Sequence, residues 1–147
     1  MKINLYFNKL LFFVGLLLSS CATGVPTEKI DFTYAFCDGN SKVWMLQKVR
    51  NGDVIVEENL DFGGEFLIFY LTGKVLKGNL KEISEQKGKI GTYSIDNDNS
   101  YLTIEFPSEN WDFYFEFSYE DRLVLYPTTK SDIVQTLELV PFPDYNL

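Results

Sequence analysis

The chain has 147 residues, with 13 basic and 21 acidic side chains, two cysteines and no histidine. That length makes one domain, and a net charge of −8 argues against nucleic acid or an anionic lipid surface as partner. Without histidine, Ser-His-Asp triads, Cys-His pairs and histidine-ligated metal centres are all excluded.

In chain order, the first feature is an apolar run. Lys2 and Lys9 are the only charges before Cys21, and Leu10 to Leu18 is a nine-residue apolar stretch. It is too short to span the roughly 30 Å of bilayer hydrocarbon as a helix, but it has the charged start and short apolar core of a secretory signal. Leu18-Ser19-Ser20-Cys21 then resembles the bacterial lipobox: a long apolar residue, two small residues and a cysteine. The resemblance implies cleavage before Cys21, a diacylglycerol on its thiol and an acylated amine. Residues 1–20 are thus expected as a lipoprotein signal peptide, 21–29 as a membrane tether and 30–147 as the folded domain. Three acyl chains exceed the two signals that stable anchoring needs.

Ala22 follows the cysteine, not the aspartate that holds enteric lipoproteins at the inner membrane, which points to the outer membrane. Some Bacteroidota-type lipoproteins carry an acidic cluster here for surface export. This stretch offers only Glu28, which points to the periplasmic face. The eight tether residues after Cys21 reach at most about 30 Å, so the domain works close to the bilayer. With Lys2 and Lys9 gone, 11 basic face 21 acidic residues, a net of −10. Cys37 is left without a disulfide partner and reads as a small buried hydrophobe.

Beyond residue 37 no long amphipathic helix is legible, and a short helical segment is expected only at Lys29–Phe36. Short apolar runs recur every eight to twelve residues, separated by Gly, Asn, Asp and Pro, as in a sandwich or barrel. The strands expected are Val43–Val49, Val54–Glu57, Glu65–Leu71, Lys74–Leu80, Lys89–Ile95, Tyr101–Phe106, Trp111–Phe117, Arg122–Tyr126 and Ile133–Val140. Turns fall at Asn51-Gly52-Asp53, Thr72-Gly73, Asn97-Asp98, Pro107 to Asn110 and Glu120-Asp121. Pro141 and Pro143 end the last strand, because proline cannot donate to a ladder.

Parity then gives the faces. In Trp111–Phe117, Trp111, Phe113, Phe115 and Phe117 share one side, since side chains alternate along a strand. A four-residue loop at Pro107–Asn110 would pair Phe106 with Trp111, Ile104 with Phe113 and Leu102 with Phe115. A two-residue Asn97-Asp98 turn would pair Tyr93 with Leu102 and Gly91 with Ile104. Three successive strands then share an inner face. The expected fold is all-β, an up-and-down antiparallel meander closing into an eight- to nine-stranded barrel, which removes unpaired edges; an open sandwich is the alternative.

Val43-Trp44-Met45-Leu46 on the first strand, the mid-chain KGKIGTYSIDNDNSYLTIEF and the closing LELVPFP resemble the lipocalin-like domains of Bacteroidota lipoproteins. That resemblance covers most of residues 41–143. It implies that the first-strand tryptophan, Trp44, plugs the closed end of the barrel, and that a small apolar ligand is bound inside.

The residues that would line such an interior are Trp44, Phe69, Tyr93, Ile104, Trp111, Phe113, Phe115, Leu125 and Leu137. A stripe of large aromatics, each burying on the order of 150–250 Å², favours a filled or narrow interior over a wide calyx. A ligand site would need a cavity of about 300 Å³ or more. On the outside, Phe66, Ile68 and Tyr70, with Val75 from the next strand, form an apolar patch. Either the segment Ile30–Tyr34 covers it or it docks an envelope protein. Glu105 opposite Asp112 would be a like-charge pair on an outer face, read as solvated surface rather than as acid and base. No catalytic residue, metal or cofactor is expected. The functional expectation is a membrane-anchored module binding a small apolar ligand; the alternative is an accessory lipoprotein, filled inside, that docks a partner through its outer patch.

Overall fold

The computed structural model describes residues 31–59, 64–118 and 121–142. The signal peptide, Cys21, the tether, residues 60–63 and Pro143 lie outside them. Among the described residues nine strands appear: β1 Ser41–Asn51, β2 Val54–Glu58, β3 Glu65–Tyr70, β4 Lys74–Asn79, β5 Lys89–Asp96, β6 Tyr101–Phe106, β7 Glu109–Phe117, β8 Leu123–Pro127 and β9 Thr136–Pro141. Two short helices accompany them, α1 Thr33–Cys37 and α2 Leu80–Ser84. From β3 to β9 each strand pairs with the next, and β1 pairs with both β3 and β9. Eight strands therefore close an up-and-down antiparallel barrel, and every ladder within it is satisfied on both sides.

β2 is the extra strand. β1 gives Ser41–Met45 to β3, and further along the same edge gives Lys48–Asn51 to β2. Gly52, at φ +59°, makes the tight reversal from β1 into β2, a conformation open to glycine at little steric cost. All five residues of β2 are exposed.

Three loops differ in length from the expected ones. β5 and β6 pair Asp96 with Tyr101 and Tyr93 with Ile104, so their loop holds four residues, not two. Asp96 organises it: its carboxylate accepts the Asp98 and Asn99 amides at 3.0 and 3.4 Å and the Asn99 side-chain amide at 2.8 Å. β6 and β7 instead pair Phe106 with Glu109 and Ile104 with Trp111, a two-residue loop where four were expected. Asn110 is held in the ladder and also clamped by Asp132, whose carboxylate accepts its amide. Between β3 and β4, Phe69 pairs with Val75, leaving a three-residue loop in which Gly73 sits at φ +79°.

α2 was not anticipated as a helix. Asn79 caps it: its side chain accepts the Glu82 amide at 2.9 Å, while Glu82 accepts the Asn79 amide at 3.1 Å, a reciprocal capping box. α1 begins four residues inside the expected segment Lys29–Phe36 and runs one residue past its end.

Candidate functional site

The barrel interior is the first place to look for a site. Trp44, Phe69, Ile104, Trp111, Phe113, Phe115, Leu125 and Leu137 are all buried in one cluster, with Tyr93 half-buried against it. Strand parity thus matches the burial of these side chains on the inner face. What occupies the space between them is largely other side chains. Phe36 of α1 enters the barrel and meets Phe69, Phe115 and Phe117 edge-on, with ring centroids 5.2, 5.1 and 5.3 Å apart. Phe32 packs on Phe115 at 5.1 Å, and its amide donates to the Asn97 side chain at 3.0 Å, tying α1 to the β5–β6 loop.

The N-terminal segment therefore closes one mouth of the barrel. One of the two alternatives for the β3 patch was cover by Ile30–Tyr34. Ile30 lies outside the described residues, and the rest of that segment leads into the mouth instead, which is a correction. Phe32 and Phe36 carry large apolar area that an outer groove would leave half wet, whereas the mouth buries Phe36 completely. Trp44 lies against the same plug. Its indole N–H donates to the Phe36 carbonyl at 2.9 Å, and the Lys42 ammonium sits 4.4 Å from its ring centroid.

The opposite mouth is closed by a charged lid over an aromatic ring. Lys77 sits 4.5 Å from the Trp111 ring centroid and 3.4 Å from Glu65. The Trp111 indole N–H donates to Glu109 at 3.0 Å, and Lys89 bonds the same carboxylate at 3.2 Å. Burial pushes the Glu109 carboxyl up, but the bonds from Trp111 and Lys89 and the charges of Lys77 and Lys89 outweigh it and leave it below its ordinary range. Beneath this lid, between Leu46, Leu67, Lys77, Trp111 and Leu137, lies a void of about 10 Å³. That is room for about one water molecule, far below the volume a ligand site takes.

Tyr93 reports on the interior's dryness. Its hydroxyl donates to the Tyr70 carbonyl at 2.9 Å and its ring meets Phe69 edge-on at 5.0 Å. Burial, with the Cys37 thiol adding to it, pushes its phenol up to about 12. An unfolded tyrosine titrates near 10. The raised folded value means that this group's contribution is full below pH 10 and is lost as pH rises through 12. The expected result is that Tyr93→Phe is less stable than wild type at pH 7 by about 1 kcal/mol, and that the gap narrows between pH 10 and 12. Urea midpoints of both proteins across that range measure it, and the comparison cancels Tyr101, which its bond to Tyr114 also raises to about 12. A gap that stays constant to pH 12 would place Tyr93 in water.

Outside, the expected patch is rearranged. Val75 faces the core and is fully buried, because the three-residue loop pairs it with Phe69 and not with Tyr70. Phe66 does point outward, yet it is also fully buried, between its cross-strand neighbours Met45 and Gly78 and under Phe142, whose ring lies 5.4 Å away. Ile68 and Tyr70 are half-buried. The expected apolar patch is thus reduced to the rims of two side chains. The like-charge pair is corrected too: Glu105 faces Asn110, and Asp112 faces Thr103. Asp112 is buried at 8% exposure and accepts the Thr103 and Thr128 hydroxyls at 3.2 and 3.3 Å, so it fastens the β8–β9 connection rather than facing a second acid.

Larger hollows are lined by other described residues. One of about 420 Å³ lies between Asp38, Lys42, Asp121 and Phe142, and another of about 380 Å³ lies beside Ile90, Glu105 and Phe106. The features that sequence reasoning missed are the plug and the lid. The spacing of Phe32 and Phe36, one helical turn apart, was the available signal for the first; Lys77, on the inner face opposite Leu67, carried none. Comparison with protein-family models, with curated proteins and with solved structures finds no match.

Proposed function

We propose that the protein is a lipoprotein of the bacterial envelope, held at the outer membrane on its periplasmic side through acylated Cys21. Its lipocalin-like barrel is filled by its own side chains and acts, without catalysis, through contacts made on its outside with another envelope protein. The observation that carries this reading is the interlocked interior: Phe36 of the plug packs edge-on against Phe69, Phe115 and Phe117 where a ligand would sit. The anchor rests on the lipobox-like Leu18-Ser19-Ser20-Cys21. The non-catalytic reading rests on a chain without histidine and on carboxylates Glu105 and Asp112 that do not converge.

The second reading keeps a small apolar ligand inside. Closure of eight strands favours it, since such barrels can enclose one small molecule, but the ligand would have to displace the plug. Native mass spectrometry of the Cys21→Ala chain, purified gently from its host's envelope, separates the two. A bare mass is expected; an excess of a few hundred daltons lost on denaturation would carry the ligand reading instead. The same variant should lose acyl labelling and move to the soluble envelope fraction, and labelling that persisted would end the anchor reading.

A further inference from the structure

We propose that β2 is an open docking edge, and that it takes up an extended apolar segment with basic flanks, from a partner protein, as an added strand. This rests on the reading that the barrel works through its outside. Every strand of the barrel wall has two neighbours, whereas among the described residues β2 is bonded only to β1. Its second row of N–H and C=O groups therefore faces water, which is the template that strand addition uses.

The side chains agree. Val54, Ile55 and Val56 are 65, 41 and 55% exposed, three consecutive β-branched residues with strong strand preference. Among the described residues the other exposed large hydrophobics are isolated in sequence, as is ordinary on a protein surface. An edge strand that served only to end a sheet would be expected to carry polar residues in these places. Val56 is also the extra residue of a bulge, since Ile55 pairs with Arg50 and Glu57 with Val49. The bulge twists the edge and restricts indiscriminate stacking, leaving a short span for one incoming strand.

Charge selects the occupant. Asp53 and Glu57 bracket the apolar triplet; Glu57 is bonded by the neutral Asn59 amide at 3.0 Å, while Glu58 is already neutralised by Lys48 at 3.0 Å. A second copy of the chain is disfavoured. Antiparallel self-pairing centred on Ile55 would set Asp53 against Glu57 at both ends, and directly opposed like charges destabilise a strand pair. Centring it on Val56 would set Ile55 against Glu57 and Val54 against Glu58. A strand with lysine or arginine at its ends meets neither conflict. The hairpin also stands at the end of β1 away from α1.

The test uses two synthetic peptides, Lys-Thr-Val-Ile-Val-Thr-Lys and the same peptide with glutamate for both lysines, added to the chain carrying Cys21→Ala. The lysine peptide should slow amide exchange within Val54–Glu58 by about tenfold or more at about 1 mM, less at high salt, and the glutamate peptide should bind at least about tenfold more weakly. Val54→Lys with Val56→Lys, both in exposed positions that a stable fold tolerates, should abolish the lysine peptide's effect while leaving the unfolding midpoint unchanged. Equal binding of the two peptides, no protection in β2, or concentration-dependent dimers lost in the double variant would each overturn the proposal. A ligand mass in the native spectrum would instead overturn the outside-acting reading and leave the peptide result standing, so the two failures are distinguishable.

Discussion

Trp44→Ala should lower stability by about 3–5 kcal/mol, enough to unfold much of a domain whose total is of order 5–15 kcal/mol. The indole is fully buried, so its removal opens a cavity in the core. Its N–H also holds the Phe36 carbonyl at 2.9 Å, and losing that donor leaves a buried carbonyl unsatisfied, a cost of about 1–3 kcal/mol. Trp44→Phe separates the two contributions, because it keeps most of the apolar burial and removes only the donor. Urea unfolding of the three proteins, read at unchanged slope, should place the phenylalanine variant between the other two. If both substitutions cost less than about 1 kcal/mol, the ring is not seated in the core and α1 is not fastened to it.

That Trp44 points inward was legible in the sequence, and the reason is a property of strands. Side chains alternate with period two, so an error of two residues in register leaves every face unchanged. The Asn97-Asp98 turn was read two residues too short and the Pro107–Asn110 loop two residues too long. Even so, Tyr93, Ile104, Trp111 and Phe113 all remain on the inner face. An odd error does not forgive. Reading Thr72-Gly73 as a two-residue turn, where Leu71, Thr72 and Gly73 form a loop of three, flipped Val75 from core to surface. The positive φ at Gly73 suits either turn, so composition alone does not separate them.

What parity cannot supply is the third dimension. Ile30–Tyr34 was one of two candidates to cover the outer patch of β3, but alternation says nothing about whether a segment lies on a barrel or enters its mouth. The same limit hid Lys77, which reads as a solvated charge and instead lies over Trp111 at the lidded mouth. The short helix α2 was missed for a different reason. Its sequence signal, Asn79 followed three residues later by Glu82, is a capping box in miniature, but five residues are too few to show helical periodicity.

Phe36→Ala asks whether the interior is filled by design of the wall or by the plug. The ring is fully buried and touches three aromatic neighbours, so its loss should cost about 3–5 kcal/mol. The Trp44 bond runs to the Phe36 backbone, so alanine keeps it and α1 can still dock. The space vacated is lined by Phe69, Phe115 and Phe117, and an apolar cavity of that kind stays dry and can admit benzene or xenon. Xenon- or benzene-induced shifts, followed by NMR, should therefore appear in the alanine variant and be absent in wild type. Equal uptake by both would mean that the native interior already has room, which favours the ligand reading. A stability loss with no uptake would mean the wall collapses inward, as happens when surrounding side chains relax into the gap. The barrel would then be packed by the wall as well as by the plug, and a displaceable plug would no longer give the ligand reading a route inside.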